Sequence, residues 1–154
     1  MRILFVCLGN ICRSPAAEGV MRHKLIQAGL ASRVEVASAG TGQWHVGKPP
    51  DTRTQAAARR RGYDVSAQRA RQVQADDFDH YALILAMDPA NLAQLERLRP
   101  AGNRTPAQLF LRYTHGPRSD VPDPYYGGDE DFEQMYALIE AGCDTLVAEL
   151  SRQP

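Results

Sequence analysis

A continuous apolar run, Ile3-Leu4-Phe5-Val6, passes directly into Cys7-Leu8-Gly9-Asn10-Ile11-Cys12-Arg13-Ser14 and then into the helix-favouring Pro15-Ala16-Ala17-Glu18. The run is β-rich and unbroken rather than alternating, which is the pattern of a strand buried on both faces, so residues 2–7 belong at the centre of a sheet. A buried strand that stops at a short loop and re-emerges as a helix leaves backbone N–H groups unpaired, aimed at one spot by the helix N-terminus. Such a spot attracts an anion. Gly9 and Asn10 are residue types that accept left-handed backbone geometry, which a loop needs in order to turn its N–H groups inward. Arg13 adds a guanidinium fork that matches two oxygens of a phosphate.

A cysteine at the end of a strand is ordinarily a core residue. Cys7 stands six positions ahead of Arg13-Ser14-Pro15 with Gly-Asn between, and there the convergent N–H groups, the helix N-terminus and the arginine favour the nucleophilic thiolate. Ser14 either caps the helix or donates to the sulfur of Cys7, and Pro15 suits the first helical position.

The rest of the chain alternates strand and helix. A helix is expected over 15–29, with Ala17, Val20, Met21, Leu25 and Ala28 on one face and Gly29 as its stop. A second strand over 34–38 completes a parallel βαβ unit and brings Ser38 to the carboxyl end of the sheet, beside the Cys7 loop and able to support it. Asp51 caps a helix that Gly62 ends; residues 81–87 form a third buried strand, and Asp88 caps helix 89–98, with Leu92, Leu95 and Leu98 inward. Gln108 to Arg112 reads as a weaker fourth strand, the Gly- and Pro-rich 114–128 as a loop, and 129–151 as a long helix. The apolar stripe of that last helix includes Cys143. The fold expected is α/β: a single three-layer domain over 1–154, with a four-stranded parallel sheet flanked by helices on both faces.

Two loops carry further candidates. Trp44, the single Trp, lies in a Gly- and Pro-rich segment near the site, where an indole suits the face of an aromatic substrate; His45 reads as a solvated loop residue. Asp123 sits between Pro122 and Pro124, with Tyr125 and Tyr126 supplying apolar surroundings, and is the candidate for both general acid and general base. Arg59-Arg60-Arg61 point in three directions on a helix and read as a solvated face.

Charge narrows the partners. Lys plus Arg equals Asp plus Glu at 18 each, so no overall field recruits nucleic acid or an anionic membrane. No apolar run approaches the roughly 20 residues that span a bilayer, and none reads as a signal peptide. Three cysteines, an odd number, do not make a disulfide framework, so a reducing cytoplasm is expected. No His, Cys or carboxylate spacing suggests a metal site, and no cofactor is expected.

Val6-Cys7-Leu8-Gly9-Asn10-Ile11-Cys12-Arg13-Ser14-Pro15 resembles the signature of the low-molecular-weight protein tyrosine phosphatases. The likeness extends to Ser38-Ala39-Gly40-Thr41, Ala70-Arg71-Gln72, Met87 to Leu92, and Asp123-Pro124-Tyr125-Tyr126, nearly the whole chain. It implies hydrolysis of phosphotyrosine through a cysteinyl-phosphate without metal, with Cys7 as nucleophile, Arg13 and residues 8–14 as the phosphate loop, and Asp123 as acid. Trp44, Tyr125 and Tyr126 would be substrate walls, and Cys12 a redox partner whose reversible disulfide with Cys7 spares the nucleophile. Expected partners are tyrosine-phosphorylated proteins and inorganic phosphate, as product and inhibitor, on a monomer or weak dimer. Many relatives carry His where Gln68 stands, in the network that orients Asn10. Protein-arginine phosphatases and arsenate reductases share the resemblance. The former commonly have a small hydroxyl residue at the position of Ile11, and the latter need a thiol relay that residues 13–142, without cysteine, do not offer. A phosphate-binding module without turnover is the remaining reading, and Cys7 with Asp123 argues against it.

Overall fold

The computed structural model describes residues 1–154. In chain order the elements are β1 (Arg2–Cys7), α1 (Arg13–Gln27), β2 (Glu35–Gly40), α2 (Thr52–Arg60), α3 (Asp77–His80), β3 (Leu83–Ala86), α4 (Pro89–Leu98), β4 (Ala107–Leu109), α5 (Phe110–Tyr113) and α6 (Asp129–Ser151). The four strands pair in parallel in the order β2-β1-β3-β4. The α/β sheet expected from the sequence is therefore present, with β1 inside it.

Strand periodicity divides the core. Ile3, Phe5 and Cys7 of β1, with Leu83 and Leu85 of β3, face α1, α2, α5 and α6; Leu4, Val6, Ile84 and Ala86 face α3 and α4. On the first face the ring of Phe5 meets Phe110 edge-on, at 5.3 Å between centroids. On the second, Leu95 of α4 is fully buried while Leu92 and Leu98 are only partly so. Cys143 is buried in the stripe of α6 that covers the first face.

Several boundaries differ from expectation. β2 runs to Gly40 rather than ending at Ser38, and β3 is shorter than 81–87. α1 starts at Arg13, so Pro15 is its third residue rather than its first, and the N-cap position is Cys12 with no side-chain cap. Ser14 is therefore not the cap. The stretch 108–112 is not one strand: it leaves the sheet after Leu109 and turns helical, which sends Phe110 and Leu111 into the first core. Arg59 and Arg60 are exposed, as a solvated face requires, while Arg61 is only partly so. Arg60 pairs with Glu133 at 2.8 Å, and Arg61 with Glu133 and Glu140, so α2 is tied to α6. No helix is long and apolar enough to cross a membrane.

Candidate active site

β1 delivers Cys7 to the carboxyl edge of the sheet, residues 8–12 form the loop, and α1 starts at once with Arg13. The loop carbonyls turn outward. Cys7 O accepts from Thr41 N, Leu8 O from Gly42 N and Ile11 O from Asp51 N, each at 2.9 Å. The peptide N–H groups of residues 8 to 12 donate to no protein group, and those of Arg13 and Ser14 are free as the first turn of a helix. Of the two residues suited to left-handed geometry only Asn10 adopts it, at φ 58°. Gly9 serves closeness instead: a Cβ there would come within 3.0 Å of the His45 ring. Gly40 does the same from β2, because its Cβ would lie 2.8 Å from Leu8 O.

Asn10 locks the loop through three bonds. Its Nδ2 donates to Ser14 Oγ at 2.8 Å and to Ser38 Oγ at 3.0 Å, while its Oδ1 accepts from Arg71 N at 3.0 Å. Ser38 in turn donates to the buried Glu18 carboxylate at 2.8 Å. Because Ser14 accepts from Asn10, its one proton is free for Cys7 Sγ, 3.0 Å away, or for Ala39 O at 3.3 Å. Gln68 reaches Ser38 only at 3.5 Å and gives its amide N–H to Pro15 O at 3.0 Å, so it braces the start of α1 more than the loop. Neither Glu18 nor Arg71 was given a role in the sequence: Glu18 lies early in α1, and Arg71 comes from a segment 61 positions away from Asn10.

Arg13 is 3% exposed and held from three sides. Its Nη1 donates to Asp88 Oδ2 at 2.7 Å and to Val121 O at 3.0 Å, and its Nη2 lies 3.6 Å from Asp123 Oδ2. Burial pulls the guanidinium towards neutrality, but Cys7, Asp88 and Asp123 together outweigh it and hold its pKa above the ordinary value. Asp88 caps α4 as expected, accepting from Asn91 N at 2.8 Å, and in addition orients Arg13 with its other oxygen.

Asp123 is brought to the same place by the 114–128 loop. Its side chain is 41% exposed, and Oδ1 accepts from Tyr125 N at 3.1 Å. A cavity of about 400 Å³ opens above Cys7 and Arg13, with Leu8, Gly9, Ile11, Cys12, Trp44, His45, Asp123, Tyr125 and Tyr126 around it. Trp44 is 68% exposed, its ring packed across Gly42, where even a Cβ would clash; it is a rim residue, not a plug. His45 belongs to the wall rather than to solvent alone, 6.5 Å from the Tyr125 ring. Tyr126 is 98% exposed and stands at the outer edge. Cys12 is buried, and that burial pushes its thiol up to about 12. Cys7, Cys12 and Cys143 are all free thiols here. No three His, Cys, Asp or Glu side chains are grouped to hold a metal ion.

A family model described as low molecular weight phosphotyrosine protein phosphatase matches residues 2–154. The chain belongs to that family. Among its relatives, the low molecular weight protein-tyrosine-phosphatase YfkJ of Bacillus subtilis is 41% identical over 98% of this chain and 96% of its own. The solved structure of a protein tyrosine phosphatase from Entamoeba histolytica, with Hepes in its active site, superposes with a TM-score of 0.92. It is 37% identical, over 97% of this chain and 96% of that one. A Drosophila arginine phosphatase superposes at 0.91 and 31% identity over the whole of both chains. The low molecular weight phosphatase signature noted in the sequence is thus a family membership, and the three-layer fold is that of its solved relatives.

Proposed function

We propose that this chain is a metal-independent protein tyrosine phosphatase working by double displacement, with residues 1–154 acting as a single domain. One observation carries the reading. A cysteine sulfur, a buried arginine fork and the free N–H groups of one turn share a cavity with a carboxylate 3.6 Å from the arginine. In the first step Cys7 Sγ attacks phosphorus, the bond from phosphorus to the phenolic oxygen breaks, and Asp123 gives its proton to that oxygen. Arg13 and the loop N–H groups hold the equatorial oxygens as charge redistributes. In the second step Asp123 takes a proton from water, water attacks phosphorus, and the S–P bond breaks. Ser14, 3.0 Å from the sulfur, donates to the departing thiolate.

The aromatic and aliphatic walls, Ile11, Trp44 and Tyr125, suit a flat aryl group. The likeness to an arginine phosphatase raises phosphoarginine as a second substrate, but a phosphoguanidinium is polar throughout and Ile11 offers it no partner. Arsenate reduction lacks its thiol relay, because the remaining cysteine, Cys143, is fully buried in α6. Inorganic phosphate, having the shape of the bound group, is product and competitive inhibitor. The free thiols fit a cytoplasmic setting, and the protein acts as a monomer or weak dimer on tyrosine-phosphorylated proteins.

A panel of phosphotyrosine, phosphoserine and phosphoarginine peptides tests this. The wild type should turn over phosphotyrosine, and Cys7→Ser should bind the same peptides without releasing phosphate. Preference for phosphoarginine, or turnover by Cys7→Ser, contradicts the proposal.

A further inference from the structure

Arg53 lies in the first turn of α2 and does not reach Cys7, Arg13 or Asp123, yet its partly exposed guanidinium is held by an acid on one side and two aromatic rings on the other. Its Nε and Nη2 donate to the two oxygens of Asp51, each at 3.0 Å, so the fork is held in one plane. Asp51 also caps α2 by accepting from Arg53 N at 2.8 Å, and its own N–H donates to Ile11 O of the phosphate loop. One end of this pair is therefore attached to the turn that holds phosphate.

The other end meets the acid loop. The Arg53 Cζ is 4.8 Å from the centre of the buried Phe132 ring and 5.4 Å from that of Tyr125. A cation within about 6 Å of a ring face is attracted to it, so Arg53 bridges a core ring and Tyr125, a cavity wall that the irregular 114–128 loop supplies. Tyr125 N–H is the group that holds Asp123 Oδ1. The path is continuous: Ile11, Asp51, Arg53, Tyr125, Asp123.

We propose that Arg53 is a positioning residue for the acid, holding Tyr125, and through its N–H the Asp123 carboxylate, in register with the phosphate loop. This rests on the phosphatase reading above. Proton transfer from Asp123 matters most when the departing phenolate is basic, so misplacement of the carboxylate should show as a dependence on the leaving group. A residue that only stabilised the fold would lower all substrates alike.

The test uses aryl phosphates whose phenols span a wide range of pKa, and reads kcat/KM, which covers the steps through departure of the phenol. Arg53→Met should lose about 10- to 100-fold on phenyl phosphate, the scale of a small misplacement, but within about threefold on dinitrophenyl phosphate. Vanadate affinity should hold at the wild-type value. Arg53→Lys, which keeps a cation but loses the fork, should show the same trend at smaller size. Adding Arg53→Met to Asp123→Asn should cost nothing further on phenyl phosphate. An equal loss on every substrate for both variants, or an additive double mutant, would overturn the role of Arg53 while leaving the phosphatase reading intact. A wild type inactive on all aryl phosphates overturns both.

Discussion

The phosphate loop and the acid loop meet over one cavity and are built in opposite ways. Residues 7–14 are joined to the centre of the sheet on one side and to α1 on the other, and Asn10, Ser14 and Arg13 are buried with specific partners. Asp123 has a half-open carboxylate, one bond to its own Tyr125 N–H and a 3.6 Å approach to Arg13. The difference follows from the chemistry each performs. A dianion and its transition state need donors already in place, because reorganising dipoles during reaction raises the barrier. A proton donor that must later become a base needs access to water and room to shift. Over-determination belongs to the first loop and adjustability to the second.

That contrast breaks most visibly at Arg13. Arg13→Ala should lower kcat/KM by about 10³- to 10⁵-fold on every aryl phosphate, whatever the leaving group, because the charge it supplies acts on the equatorial oxygens of the phosphoryl group common to all of them. If good leaving groups escaped this loss, the phosphate loop would not be the rigid partner. Asp123→Ala should cost about 10²- to 10⁴-fold on phenyl phosphate and far less where the phenolate needs no proton, measured on the same panel. A uniform loss there would assign Asp123 to binding.

Stability should divide the same way, with smaller effects. Asn10→Ala removes three side-chain bonds and leaves a β-carbon residue in left-handed geometry, so urea unfolding should show a loss of about 2–3 kcal/mol. Arg118→Ala, which removes an exposed pair with Asp120 at 3.1 Å in the acid loop, should stay within about 0.5 kcal/mol of wild type. Equal effects from the two would mean that the loops are equally constrained.

How much of this was legible in the sequence follows the same division. β1 and α6 carry long uninterrupted patterns, and their bounds, Arg2–Cys7 and Asp129–Ser151, match the expected spans. Gln108-Leu109-Phe110-Leu111-Arg112 was too short for its period to be read, and the packing of Phe110 against Phe5 decided for a helical turn. α1 starts two residues early because Arg13 and Ser14 are held in helical geometry by Asp88, Asn10 and Cys7, contacts that no local propensity contains. The phosphate loop was legible because its parts are contiguous. Asp88 could be read as a cap from Asp88-Pro89, but its grip on Arg13 spans 75 positions. Glu18, Arg71 and Arg53 likewise act across segments, and His45 joined the wall only once Tyr125 was placed beside it.

The central claim is that the turn beginning at Cys7 both presents the sulfur and grips the dianion it attacks. Acid quenching of the enzyme during turnover of a phosphotyrosine peptide, followed by peptide mapping, addresses it directly. One phosphoryl group should be found on the sulfur of Cys7, and with an activated aryl phosphate as substrate it should accumulate when Asp123→Ala slows the attack of water on the cysteinyl-phosphate. Turnover with no phosphate on the protein at any time, or with phosphate on another residue, would contradict it.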